Sequence, residues 1–147
     1  DKGEKTLPIT DSRMTRFWIT LDQGVDLVFK AIEEAKGGEI YVSKIPSFKV
    51  VDLAKAMSPS AELKEIGIRE GEKLHEVMVS EEDSMLTYDY GNHYIIYPNF
   101  EWWDLDKHFK KGGTKVKSGF IYSSGSNSDW LSVDDMKESL KTLEIVF

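Results

Sequence analysis

Apolar residues recur at three- and four-residue spacings most clearly in Leu21, Val25, Val28, Phe29 and Ile32. That period predicts an amphipathic helix over 20–36. Thr20 and Gln23 have the spacing of a reciprocal N-terminal cap, and "KGG" at 36–38 supplies glycine for a left-handed stop. Before it, residues 1–19 read as an extended polar lead-in ending in "TRFWIT". After it, "EIYVSKIP" predicts a short strand with a proline exit. "SFKVVDLAKAMSP" predicts a second helix, begun near Ser47 and ended before Pro59. "AELKEIGI", with Leu63 and then Ile66 and Ile68, reads as a strand, and Glu72 to Val79 as one or two helical turns.

"MLTYDYGNHYIIYP" predicts a hairpin about Gly91-Asn92, a favoured two-residue turn. The stretch 98–118 reads as a long loop carrying Trp102, Trp103 and five lysines. "YSSGSNSDW" is turn-rich, and Ser132 caps a last helix from Val133 to about Leu143. Helices alternating with short strands predict a mixed α/β fold. The strands are too few for a self-contained doubly wound sheet. No internal repeat appears, and 147 residues are one domain's worth, divided as 1–97, the loop 98–118, and a C-terminal turn and helix over 119–147.

Composition narrows the function. Hydrophobic residues make up 40% of the chain, which fits a globular domain rather than disorder. A net charge of −7 disfavours nucleic acid and anionic membrane as partners, though not a small anionic ligand that feels local arginines. The absence of cysteine excludes disulfides and thiolate chemistry. "DKGEKTLPIT" lacks the apolar core of a signal peptide, and no run approaches 18 apolar residues, so a cytoplasmic protein is expected. His75, His93 and His108 lie 18 and 15 apart, without metal-ligand spacing. No phosphate-binding P-loop and no G-x-S-x-G elbow appears.

Two segments remain. "PITDSRMTRFW" (8–18) places Arg13 and Arg16 three apart beside Thr10, Asp11 and Thr15. "GIREGEKLHE" (67–76) carries Arg69 and Glu72 between Gly67 and Gly71 and the downstream His75. A guanidinium is a rigid fork suited to phosphate oxygens, and two from separate segments can clamp a diphosphate. A carboxylate such as Glu72 can accept hydrogen bonds from a ribose diol. The same residues could equally pair as Arg13–Asp11 and Arg69–Glu72 on a solvated surface.

The run from "PITDSRMTRFWITLDQGVDLVFKAIEEAKGGEIYVSKIPSFKVVDLAKAM" to "IGIREGEKLHEVMVSEED" resembles the C-terminal part of bacterial UDP-N-acetylglucosamine 4,6-dehydratases. These belong to the polysaccharide-biosynthesis branch of the extended short-chain dehydrogenase/reductases. The resemblance resumes in "YIIYP" and in "FIYSSGSNSDWLSVDDMKESL". It implies the substrate-binding part of that fold, with residues 1–97 as a nucleotide-sugar-binding core that lacks the complete Rossmann half. It implies that Thr10, Arg13 and Met14 lie against the nucleotide of a UDP-sugar, and that Arg16 belongs to the same motif. Arg69 and Glu72 match the arginine and glutamate of the family's R-P-G-E-K-L-H-E, which contact diphosphate and ribose. Glu70 stands where the family has proline, and His75 is then a structural residue at the start of a helix rather than a catalyst.

In the intact enzyme the resemblance implies that NADP or NAD oxidises C4 of the sugar, water leaves across C5–C6, and hydride returns to C6. No such cofactor is expected in this chain, and none of the six tyrosines is followed four residues later by lysine, so the family's Tyr-x-x-x-Lys pair is absent. A UDP-sugar 4-epimerase part, or a non-enzymatic nucleotide-sugar-binding or interaction module, are the alternatives. The missing half should bare an apolar patch that a Rossmann partner or self-association would cover. Trp102 and Trp103 are expected to be packing or interface residues.

Overall fold

The computed structural model describes residues 6–142. The first helix, α1 (Leu21–Glu34), forms where the apolar period places it, and its cap is reciprocal. The Thr20 hydroxyl accepts from the Gln23 N–H at 3.3 Å, and the Gln23 side chain accepts from the Thr20 N–H at 2.9 Å. The lead-in is extended as expected, as β1 (Thr6–Ile9) and β2 (Thr15–Phe17). Its first five residues lie outside the described ones. The strand expected after the helix is β3 (Ile40–Ser43).

The second helix starts later than its sequence suggests. Ser47–Lys49 is a strand, β4, antiparallel to β2, and α2 runs from Val50 to Met57. Ser47 looks like a helix cap, but tertiary pairing outweighs that propensity. Its backbone joins β2 and a parallel bridge to Trp130, while its hydroxyl accepts from the Asn127 amide at 3.0 Å. β5 (Glu62–Glu65) is the expected strand.

The helical turns expected over Glu72 to Val79 do not form. Residues 72–76 are irregular, with bends at Leu74 and His75, and Val77–Val79 is a strand, β6. β6 pairs with β10 (Tyr122–Ser123), and the chain ahead of it is drawn straight by a Thr15 N–H bond to the Leu74 carbonyl and a Ser124 N–H bond to that of Glu76.

The hairpin forms as β7 (Thr87–Asp89) and β8 (His93–Ile96), closed by the Tyr90 N–H on the His93 carbonyl. The expected loop 98–118 holds a short helix, α3 (Leu105–His108), and a strand, β9 (Thr114–Lys115), that completes the sheet β3-β8-β7-β9. Aromatic burial folds this segment back: Trp103 is buried against Tyr97, and Phe109 packs edge-on against Tyr88. Trp103 is thus a packing residue, whereas Trp102 is exposed and stacks on Phe100. The last helix, α4 (Val133–Thr142), is capped by Ser132 and Asp135 through mutual backbone–side-chain bonds. Its expected end at Leu143 lies outside the described residues.

These elements form two compact units. One gathers residues 6–18, Pro46–Glu76 and 124–142; the other gathers Ile19–Ile45 and Val77–Ser123. The first has α2 against α4, and its buried residues include Met14, Phe48, Ala54 and Met136. The second is centred on Ile95, Tyr97 and Trp103. In that second unit α1 has no buried residue: Leu21 is 83% exposed and Ile32 72%. An open apolar groove of about 620 Å³ runs along Ile19, Leu21, Val25, Val28 and Phe29. The expected bare apolar face is therefore there, and it is the face that gave α1 its sequence signal. No helix among the described residues is long and apolar enough to cross a membrane.

Candidate functional site

The two arginine-bearing segments lie 56 positions apart in sequence, yet one local feature brings them together. β1 and β5 pair in parallel, with Ile9 opposite Glu65, so the chain leaves both strands at the same end. The ladder continues past them: the Ile66 N–H donates to the Ile9 carbonyl at 2.9 Å and the Gly67 N–H to that of Thr10 at 3.1 Å. The segments separate into two loops, 11–14 and 68–73, and rejoin where the Thr15 N–H meets the Leu74 carbonyl at 3.1 Å.

A buried polar network fixes the second junction. Thr15 Oγ1 lies 2.8 Å from His75 Nδ1 and 2.7 Å from Ser124 Oγ, which also accepts from the Glu76 N–H at 2.9 Å. Thr15 and Ser124 are buried. A Cβ at Gly125 would lie 2.6 Å from the His75 ring, so glycine is required for that ring's place. His75 is structural, as expected, but it anchors a loop rather than opening a helix.

Arg16 belongs to this anchor. Its Nη1 donates to the Thr15 carbonyl at 2.6 Å and the Leu74 carbonyl at 3.3 Å, and its Nε lies 3.2 Å from a Glu76 carboxylate oxygen. Met14 is also internal: the residue is 97% buried, and its carbonyl accepts from the first N–H of α2, that of Val50.

Arg13 and Arg69 face outward. Arg13 grips Asp11 through two bonds, Nε to Oδ1 at 3.0 Å and Nη2 to Oδ2 at 2.8 Å, while its side chain stays 70% exposed. That hydrogen bonding lowers the Asp11 carboxyl to about 2. Its contribution is complete above the ordinary value of 3.8 and is lost as the pH falls towards 2. Asp11 thus reads as the residue that aims Arg13, and the D-x-R spacing was its only sequence signal. Asp11 takes only Nε and Nη2, and among the described residues Nη1 has no hydrogen-bond partner, so it is available to an anion.

The Arg69–Glu72 ion pair considered from sequence does not form. Glu72 instead accepts from the Arg69 backbone N–H at 3.0 Å, and its own N–H donates to the Arg69 carbonyl at 3.1 Å. Among the described residues the Arg69 guanidinium meets no carboxylate within 4 Å. Arg69 to Glu72 is a β-turn with Gly71 third, at φ 82°, the signature of a type II turn. Such turns favour proline second, where this chain has Glu70. Glu70→Pro should therefore stabilise the protein by about 0.4–1 kcal/mol by restricting the unfolded chain. Gly71→Ala should destabilise it although the side chain would meet open space. Thermal melts of the two variants check both signs.

Four of the six expected residues, Thr10, Arg13, Arg69 and Glu72, thus sit on or at the mouth of paired loops. Met14 and Arg16 hold those loops from behind. Sequence reasoning passed over the loop supports Ser12, whose N–H donates to Glu65 at 2.8 Å, and Ser124.

A family profile described as "Polysaccharide biosynthesis protein" matches residues 1–98. The chain belongs to that polysaccharide biosynthesis protein family. Within the family's reach, it is 49% identical over 148 residues to a UDP-N-acetylglucosamine 4,6-dehydratase (inverting) of Campylobacter jejuni, covering 97% of this chain and 44% of that protein. It is 37% identical over 149 residues to a UDP-glucose 4-epimerase of Rickettsia felis, covering 99% of this chain and 43% of that protein. The X-ray structure of Pen from Bacillus thuringiensis shares the fold at a TM-score of 0.75 and 26% identity, over 95% of this chain and 42% of that one. The chain thus spans less than half the length of these relatives. The expected mixed α/β fold and the resemblance to a C-terminal part of the dehydratases both stand.

Proposed function

We propose that this chain is the UDP-sugar-binding part of a UDP-N-acetylglucosamine 4,6-dehydratase acting in glycan biosynthesis. The observation that carries the reading is the pair of loops leaving one end of β1 and β5, each with an outward guanidinium. In this reading Arg13 and Arg69 take the diphosphate, and Glu72 with Thr10 takes the ribose side. Met14 backs the nucleotide from the core, and Arg16 keeps both loops in register. Asp11 holds Arg13 extended before the ligand arrives, which lowers the entropy lost on binding.

Among the described residues no strand leads through a glycine-rich turn into a helix, and α2 follows β4 directly at Lys49–Val50. NADP or NAD therefore belongs to a part of the longer enzyme outside this chain, and these residues do not fit it. That part also covers the bare face of α1. The identity to the epimerase supports a 4-epimerase as the second reading, at lower similarity.

Two measurements test this. With NADP and UDP-N-acetylglucosamine, the chain alone should give no turnover, and fusion to the missing half should restore it. Turnover by the chain alone would refute the division of labour. In light scattering the chain alone should associate through α1, and Phe29→Glu should reduce that association. A clean monomer at high protein concentration would refute α1 as a docking face.

A further inference from the structure

Outside the candidate site, one buried titratable group has no role in the proposed chemistry. His93 on β8 is 97% buried, and its ring lies between two phenols. Tyr41 of β3 stacks on one side at 5.8 Å between centroids and 5° between planes, and Tyr90 on the other at 5.3 Å and 19°. Nδ1 lies 2.7 Å from the Asn92 side-chain oxygen, an acceptor, so Nδ1 carries the proton. Nε2 is buried and has no hydrogen-bond partner among the described residues.

Tyr90 connects this stack to the segment after the sheet. Its hydroxyl donates to the Lys110 carbonyl at 2.7 Å and lies 2.7 Å from the Tyr97 hydroxyl, which accepts from the Lys110 N–H at 3.2 Å. The Lys110 ammonium pairs with Glu34 of α1.

We propose that His93 is an acid-sensitive latch that holds the β7–β8 turn and the segment around Lys110 against β3 while its ring is neutral. Protonation would add an N–H at Nε2 with no acceptor and a charge in a desolvated slot. The charged groups facing the ring do not offset it. Lys30 of α1 and Lys110 of the following segment oppose a positive ring, while Glu34 of α1 and Asp89 of β7 favour it but are already paired with Lys110 and Lys44. Burial accordingly holds the imidazolium below its ordinary value. The latch is therefore whole above about pH 6.5 and weakens as the pH falls towards the lowered value.

The test is hydrogen exchange by NMR between pH 7.5 and 5 on the whole chain, corrected for the intrinsic pH dependence of exchange. Protection of the Tyr90 and Lys110 amides should fall by up to about tenfold per pH unit below 6.5, the limit for one proton. Protection of the Ile66 and Gly67 amides in the other unit should hold. His93→Gln should remove the pH dependence and His108→Gln should keep it. If His93→Gln does not fold, the ring titration of the parent decides: an ordinary midpoint, or protection unchanged across it, overturns the latch. A pH dependence that persists in His93→Gln overturns it as well.

Discussion

Replacing Arg69 with alanine is expected to weaken UDP binding ten- to a hundredfold while leaving the unfolding temperature nearly unchanged. The affinity loss follows from charge-assisted hydrogen bonds of about 1.5–3 kcal/mol each, with 1.4 kcal/mol per factor of ten. The unchanged stability follows from the structure, because the 69–72 turn is closed by backbone atoms and the Glu72 carboxylate, not by the guanidinium. Arg69→Lys should also weaken binding, since an ammonium cannot reproduce the bidentate fork. Lys111→Ala, at an exposed site in the other unit, should change nothing. Calorimetry on the three variants, with the missing half restored for a measurable baseline, reads the difference. If Arg69→Ala binds UDP as the parent does, the guanidinium is a surface charge and the proposed clamp fails.

Gly125→Ala should give the opposite pattern, with stability lost first. The added carbon would lie 2.6 Å from the His75 ring, so the ring or the 124–126 backbone must move. Overpacking of this kind costs roughly 1–3 kcal/mol. For a chain of this size each kcal/mol lowers the melting temperature by roughly 2–4 °C. The displaced ring would break its contact with Thr15, the hydroxyl that also meets Ser124 where the two loops rejoin. UDP affinity should fall as a consequence, and His75→Ala combined with Gly125→Ala should cost less than the sum of the two, because the clash partner is gone. Additive losses in thermal melts would contradict the role given to that contact.

Local signals in the sequence account for α1, the hairpin and the α4 cap, since each rests on residues within a few positions of one another. The failures share a cause. Ser47–Lys49 became a strand because β2, with Thr15 opposite Lys49 and Phe17 opposite Ser47, offered a ladder that no local rule reveals. Val77–Val79 did so because β10 lies across the chain from it. The 98–118 segment gained structure through the burial of Trp103 and Phe109, whose partners Tyr97 and Tyr88 lie in the hairpin. At the candidate site, resemblance named the arginines, but it could not separate outward Arg13 and Arg69 from Arg16, whose donors meet Thr15, Leu74 and Glu76. That difference depends on where the chain returns, and only the fold supplies it.

The most direct test of the central claim is a titration of the isotope-labelled chain with UDP, followed amide by amide. The largest shifts should fall on Thr10 to Met14 and Gly67 to Glu72, with small ones at Thr15 and Leu74 and none around His93. Shifts confined to the other unit, or no site-specific shift at millimolar UDP in the chain or in its fusion to the missing half, would contradict it.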